Sequence, residues 1–210
     1  MIKVALFAGG DLRYFADDFD YFVGVDRGSL YLIEQGFPLN LAVGDFDSIS
    51  AEELKQVTSQ ADRLIQAPAE KDDTDTELAL KTIFMDWPEA QVTIFGAFGG
   101  RLDHLMSNLF LPSEPNLMPF LRQIKLVDDQ NIVEFYPSGH QEISPQKGMT
   151  YVSFMADGDA DLTISGAKYD LSPANFFKKK IYSSNEFIGK PISVTFQSGY
   201  LIVIHSKDRS

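Results

Sequence analysis

The 210-residue chain has no cysteine, and its only imidazoles are His104, His140 and His205. Disulfides, thiolate catalysis and zinc–cysteine sites are thereby excluded, a histidine-rich metal centre is disfavoured, and the lack of thiols accords with a reducing compartment. Positive charge is scarce: 18 Lys and Arg stand against 30 Asp and Glu, a net charge of −12. Such a chain does not offer the basic face that nucleic-acid phosphates require, so no nucleic-acid partner is expected. No apolar run approaches the ~20 residues that span a membrane, so no membrane partner is expected either. The apolar start Met1–Gly10 is short for a signal peptide, lacks a convincing cleavage region and suits a first buried strand better, which makes the expected compartment cytoplasmic. Three phosphate-binding signatures are also missing: the G-x-x-x-x-G-K-[ST] loop, G-x-G-x-x-G and the protein-kinase motif set.

What is there centres on Leu41-Ala42-Val43-Gly44-Asp45-Phe46-Asp47-Ser48. The apolar run reads as the end of a buried strand, and two carboxylates follow with one residue between them. On extended chain, residues two apart project to one side, so Asp45 and Asp47 are expected to face one point. Like charges held that close repel unless a cation lies between them, and a hard divalent ion with oxygen ligands, Mg²⁺, satisfies both. Taken alone, the pair also reads as a solvated acidic turn.

The rest of the chain bears on that choice. Strands are predicted over Ile2–Ala8, Tyr21–Val25, the run ending at Val43, Arg63–Ile65 and Gln91–Phe95. Helices are predicted from Ser29 to about Gln35, from the capping box Ser50–Glu53 to about Gln60, from a second capping box Thr74–Glu77 onward, and from Leu102 to Phe110. Alternating strands and helices imply parallel βαβ units, whose ligands bind beyond the carboxyl ends of the strands. The conspicuous polar groups fall at those ends: Gly9-Gly10-Asp11, Asp26, Asp45 with Asp47, Lys71–Asp75 and Arg101–His104. Arg101 carries a guanidinium fork suited to phosphate, and Gly99 and Gly100 allow close backbone approach, although a tight turn alone also explains the two glycines. A metal–polyphosphate site fits this edge.

Beyond Leu121 the pattern changes to short strand-like runs at Ile124–Val127, Ile132–Tyr136, Thr150–Phe154, Leu162–Ile164, Ile192–Phe196 and Tyr200–Ile204. The expected architecture is α/β followed by all-β: a mostly parallel α/β sheet domain over 1–122, then an antiparallel β-sandwich over 123–210. Pro112 to Pro119 reads as an exposed linker, and Lys178-Lys179-Lys180 as a solvated edge or loop.

Several motifs together also resemble a known family. Asp26-Arg27-Gly28, Gly44-Asp45-Phe46-Asp47-Ser48, Asp72-Asp73-Thr74-Asp75, Gly99-Gly100-Arg101-Leu102-Asp103-His104 and Ser184-Asn185 resemble, in order, the motif series of thiamine pyrophosphokinases. The resemblance implies transfer of a pyrophosphoryl group from ATP to the thiamine hydroxyl, giving thiamine diphosphate and AMP with Mg²⁺, in a homodimer with thiamine near the subunit interface. It implies Asp45, Asp47 and Asp75 as metal ligands, supported by Asp26 and Asp73, with Asp73 and Arg101 joining them in the catalytic set. The nucleotide and phosphate edge would comprise Asp26, Arg27, Gly28, Lys71, Thr74, Gly99, Gly100, Arg101, Asp103 and His104. Thiamine would meet Ser184 and Asn185, flanked by Tyr182 and Phe187. The chain departs from the series at Arg27, where many members have glycine, and at Phe187, where some have tryptophan. An Asp-x-Asp at a strand end also serves metal-dependent phosphohydrolases and nucleotide-sugar transferases, and a non-catalytic sensor of nucleotide or thiamine on this scaffold is the remaining alternative.

Overall fold

The computed structural model describes residues 1–68, 72–158, 161–177 and 180–209. The chain divides into two compact units, Met1–Asp129 and Gln130–Ser210.

The first unit is built on strands β1 (Lys3–Phe7), β2 (Tyr21–Val25), β3 (Leu39–Gly44), β4 (Ala61–Gln66), β5 (Gln91–Phe95) and β6 (Ile124–Val127), with helices α1 (Arg27–Glu34), α2 (Ala51–Gln60), α3 (Asp75–Asp86) and α4 (Leu102–Leu109). The spatial order is β6-β5-β1-β2-β3-β4, every pairing parallel. Central strands of a parallel sheet are covered on both faces, and Val4–Phe7 of β1 are accordingly buried without a break. At the edge, β4 is half-exposed throughout. Chain order runs outward from β1 to β4 and then returns to β5 on the other side of β1, so the sheet has its switch point between β1 and β5.

Both capping boxes form. The Ser50 hydroxyl accepts from Glu53 N–H while the Glu53 carboxylate accepts from Ser50 N–H, and Thr74 and Glu77 repeat the exchange at the start of α3.

Two expectations for the middle of the chain are corrected. Ile124–Val127 is not the first antiparallel strand; it pairs in parallel with β5 and extends the first sheet. A four-residue apolar run carries no information about the direction of its neighbour. The Pro112–Pro119 segment is not a linker between the units: it lies within the first unit, although Ser113, Pro115, Asn116, Met118 and Pro119 are exposed. It forms short 3₁₀ turns whose Leu111, Pro112, Leu117 and Leu121 are buried, and Phe120 stacks on Phe84 of α3 with centroids 4.3 Å apart.

The second unit holds β7 (Asn131–Ile143), β8 (Tyr151–Asp157), β9 (Thr163–Ser165), β10 (Tyr182–Asn185) and β11 (Ile192–Ser206). Its order is β10-β8-β11-β7 with β9 beside β11, all antiparallel. The two strands expected over 192–204 are one strand, β11, with a register shift against β7 between Phe196 and Tyr200. Gly199 in that shift has φ 75°, and a β-carbon there would lie 1.5 Å from the Asp157 carbonyl oxygen, so the turn-like Gln197-Ser198-Gly199 is a bulge within the ladder rather than a strand end. The bulge lets Ile192, Val194 and Phe196 join Leu201 and Val203 in one core with Val152, Phe154 and Ile164. Among the described residues no helix is long and apolar enough to cross a membrane.

Candidate active site

Beyond the carboxyl ends of β1, β2 and β5 opens a cavity of about 670 Å³ lined entirely by the first unit. Ala8, Gly9 and Gly10 follow β1, Asp26 and Arg27 follow β2, and Asp47 and Ser48 follow β3. Thr74, Asp75 and Thr76 come from the start of α3, and Gly99, Gly100, Arg101, Asp103, His104 and Asn108 from the loop after β5 and from α4. The β1 and β5 loops are laced together: Gly10 N–H donates to the Gly96 carbonyl at 2.9 Å and Asp11 N–H to the Phe98 carbonyl at 2.8 Å.

The carboxylates gather differently from the expectation. Oxygens of Asp26, Asp45 and Asp75 lie within 4.8 Å of one another, and all three residues are half-buried. Asp47 lines the cavity but is exposed and stands outside the trio. The extended-chain argument for Asp45 and Asp47 fails because the residue between them is not extended: Phe46 has φ 59°, its ring buried in the core and its backbone turned over. That turn brings the Phe46 N–H to Asp26 Oδ1 at 3.2 Å and the Asp47 N–H to Asp45 Oδ1 at 3.0 Å. Asp26, itself at φ 46° in the residue before α1, leans over the end of β3, where Gly44 gives it room. A β-carbon on Gly44 would lie 1.9 Å from Asp26 Oδ1.

Burial pushes the Asp26 carboxyl up to about 6 from 3.8; repulsion from Asp75, and less from Asp45 and Asp47, adds to this, against the Phe46 N–H. At an effective dielectric of ~20, two carboxylates this close repel by roughly 3 kcal/mol. A hard divalent cation with oxygens at ~2.1 Å sets neighbouring ligand oxygens about 3–4 Å apart, so a small inward closure of the trio fits such an ion.

The remaining site residues sort as follows. Arg101 closes a fork on Asp103, Nε donating to Oδ1 at 3.1 Å and Nη2 to Oδ2, and this bond holds the Asp103 carboxyl below its usual range. Both side chains are exposed, and an ion pair in that setting is weak enough for a polyphosphate to displace. Arg27 is exposed, with Nη1 3.5 Å from the Ser48 carbonyl, and it adds a further cation to the wall. The Thr74 hydroxyl is engaged in capping α3, so its contribution to the cavity is to fix Asp75.

Two of the expected residues lie off the cavity wall. Gly28 does not face the cavity; it is buried where α1 meets β1, and a β-carbon there would lie 1.9 Å from the Phe7 carbonyl oxygen. Asp73 does not line the cavity either. Its Oδ1 lies 2.9 Å from Lys81 Nζ, which also reaches Glu114 Oε1 at 3.3 Å. Burial works against the Lys81 ammonium, but its hydrogen bonds to Asp73 and Glu114 outweigh this and raise its pKa. This pairing ties Asp73, two residues before α3, to a side chain of that helix. Lys71 lies outside the described residues, as do Lys178 and Lys179.

Ser184, Asn185, Tyr182 and Phe187 belong to the second unit. Asn185 is buried, and its carboxamide is used by backbone: Oδ1 accepts from Tyr169 N–H and Glu186 N–H, each at 3.0 Å, and Nδ2 donates to the Tyr169 carbonyl at 2.7 Å. The Asn185 carboxamide thus holds the turn that carries Ser184. Ser184 is exposed at φ 59°, Tyr182 stacks on Phe176, and Phe187 lies parallel to the buried His205 ring at 6.0 Å. Sequence reasoning missed Asn108 and Lys81, since nothing local distinguishes them from ordinary helix residues.

Residues 12–118 match the family model described as thiamin pyrophosphokinase, catalytic domain, and residues 140–201 match thiamin pyrophosphokinase, vitamin B1 binding domain. The chain is 33% identical over 220 aligned positions to the thiamine pyrophosphokinase of Bacillus subtilis (strain 168), covering 99% of this chain and 100% of that one. Among solved structures, a thiamin pyrophosphokinase family protein from Enterococcus faecalis is 44% identical with a TM-score of 0.92, covering 99% of this chain and 100% of that one. The thiamin pyrophosphokinase from Geobacillus thermodenitrificans is 33% identical with a TM-score of 0.79, covering 100% of this chain and 99% of that one.

Proposed function

The chain belongs to the thiamin pyrophosphokinase family and serves the synthesis of thiamine diphosphate, and we propose that its reaction takes place in the cavity at the β1–β5 switch point. The reaction moves the β,γ-pyrophosphoryl group of ATP to thiamine. The thiamine hydroxyl oxygen bonds to the β-phosphorus, the bond from that phosphorus to the α-phosphate oxygen breaks, AMP departs and the hydroxyl proton is released. The observation that carries the placement is the Asp26–Asp45–Asp75 cluster on the same cavity as Gly99, Gly100 and Arg101.

The residues have separable tasks. Asp26, Asp45 and Asp75 would hold Mg²⁺, which when bound would offset the negative charge of the triphosphate and of the transferring group. Gly99 and Gly100 let backbone approach the phosphates, and Arg101, released from Asp103, stabilises charge on the oxygens of the transferring group. Arg27 adds charge at the opposite rim, and Lys81 with Asp73 keeps Asp75 in place.

Thiamine is assigned to the second unit, with Ser184, Tyr182 and Phe187 as its nearest side chains and Asn185 shaping the turn that carries them. Aromatic faces suit a flat cationic ring, and a strained, exposed residue such as Ser184 is a common mark of a binding turn. Tyr169, Phe177, Ile181 and Ile188 in the same unit are exposed apolar side chains, which supports association with a second copy as a homodimer. The cytosol, which supplies ATP, is the assigned compartment.

The deciding experiment is incubation with thiamine, ATP and Mg²⁺ and identification of both products. Equal amounts of AMP and thiamine diphosphate are expected. ADP with thiamine monophosphate would contradict the reading, and phosphate release without thiamine would favour a hydrolase.

A further inference from the structure

Two polar side chains on the cavity wall are themselves buried: Thr76, beside Asp75 at the start of α3, and Asn108, in the last turn of α4. Asn108 Nδ2 donates to the Ala97 carbonyl at 2.9 Å. A carbonyl only accepts, so this bond fixes which end of the carboxamide is nitrogen and which is oxygen. The oxygen then points elsewhere. Among the described residues no donor reaches Asn108 Oδ1, and it is not one of the sealed, unpaired buried atoms. A buried side chain on a cavity wall whose remaining oxygen is neither paired nor sealed presents that oxygen to the cavity.

The position in the sheet says which part of a ligand it meets. Asp26 and Asp45 follow β2 and β3, with Asp75 of α3 brought against them, while Asn108 and Ala97 stand beyond β5. In the order β5-β1-β2-β3, those places are two to three strand spacings of ~4.8 Å apart, about 10–14 Å. That is the span between the metal-held phosphates of an extended nucleoside triphosphate and its base. Ala97, which accepts the Asn108 bond, and Ala8, whose N–H donates to the Phe95 carbonyl of β5, give the wall at this end two apolar residues, as suits a base rather than a phosphate.

Resting on the reading of this cavity as the nucleotide site, we propose that Asn108 is the residue that reads the base of the triphosphate donor. Its Oδ1 accepts a hydrogen bond from an exocyclic amino group, that of adenine. A carbonyl at the same position, as in hypoxanthine, sets two acceptors against each other and is rejected. The Ala97 bond gives the acceptor a fixed direction before the nucleotide arrives, so little ordering remains at binding.

The test uses the full-length enzyme and compares kcat/KM for ATP, purine riboside triphosphate, which lacks the amino group, and inosine triphosphate. For the wild type, ATP should exceed the purine riboside analogue by about tenfold or more, with inosine triphosphate poorer still. Asn108→Leu should lower ATP use and bring the three nucleotides within about threefold of one another. A uniform fall for all three in Asn108→Leu would make Asn108 only a latch for the β5–α4 loop and overturn the proposal. Should that variant fail to fold, the wild-type series still decides, because equal use of the three nucleotides overturns the proposal by itself. Thiamine diphosphate from none of them would instead sink the underlying reading of the cavity, and this proposal with it.

Discussion

The Asp26 carboxylate accepts the backbone N–H of Phe46 at 3.2 Å, and both residues have positive φ, 46° and 59°. This bond joins the end of β2 to the turn after β3 and places two chain segments around one charge cluster. Asp26 is thereby a member of the cluster rather than a support for it.

A pH-dependent stability follows. The Asp26 pKa in the folded chain is about 6, against 3.8 ordinarily. Below about pH 4 the group is neutral in both states and costs nothing; above about pH 6 it is ionised in both, and only the folded state suffers burial and repulsion. Its contribution therefore falls as pH rises from about 4 through about 6. Asp26→Asn keeps the acceptor for Phe46 and removes the charge. In chelator-treated protein it should raise stability at pH 8 by about 1–2 kcal/mol, after allowing for partial exposure, with no gain at pH 4. Urea unfolding at the two pH values measures this; equal effects at both would show that Asp26 carries no raised pKa.

Asp45→Asn and Asp75→Asn should each lower kcat/KM by about 100-fold or more, equivalent to ~3 kcal/mol of transition-state stabilisation. Asp47→Asn, outside the trio, should lose less than about tenfold. Steady-state assays with unfolding curves for each variant separate lost chemistry from lost fold. Comparable losses at all three positions would restore Asp47 to the cluster.

Lys81 anchors Asp73 on one side and Glu114 on the other. Lys81→Met should therefore lower stability by about 1 kcal/mol and raise the Mg²⁺ concentration needed for half-maximal rate, with Lys81→Arg restoring much of both. Asp73→Asn should resemble Lys81→Met. If Asp73→Asn instead removes activity at saturating Mg²⁺ with unchanged unfolding, Asp73 touches the reacting groups after all.

Asn185→Ala leaves three backbone groups of a buried turn without their partner. The expected outcome is a stability loss of about 2–3 kcal/mol, visible in urea unfolding at 25 °C. An unchanged unfolding midpoint with a raised KM for thiamine would show that this side chain serves the ligand rather than the turn.

Much of the fold was legible because local rules decided it. Ser50 with Glu53 and Thr74 with Glu77 announced two helix starts, and buried apolar runs announced β1, β2, β3 and β5. The direction of β6 was not legible, since a short apolar strand looks alike in either pairing, and Gly199 concealed the continuity of β11 because a bulge and a turn share their residues. At the site, the sequence marked the strand ends that carry carboxylates. It could not rank Asp26 above Asp47, because that depends on the backbone turn at Phe46 and on the room left by Gly44. The bonds of Asn108 to Ala97 and of Asn185 to Tyr169 and the pairing of Lys81 with Asp73 are all tertiary, and periodicity does not report them.

The central claim is that Asp26, Asp45 and Asp75 hold the divalent ion. The most direct test is Mn²⁺ binding, followed by electron paramagnetic resonance, with α,β-methylene-ATP present so that no transfer occurs. Wild type and Asp47→Asn should bind with similar affinity, and Asp26→Asn, Asp45→Asn and Asp75→Asn should each bind at least about tenfold more weakly. Unchanged affinity in those three variants, or a loss confined to Asp47→Asn, would contradict the account.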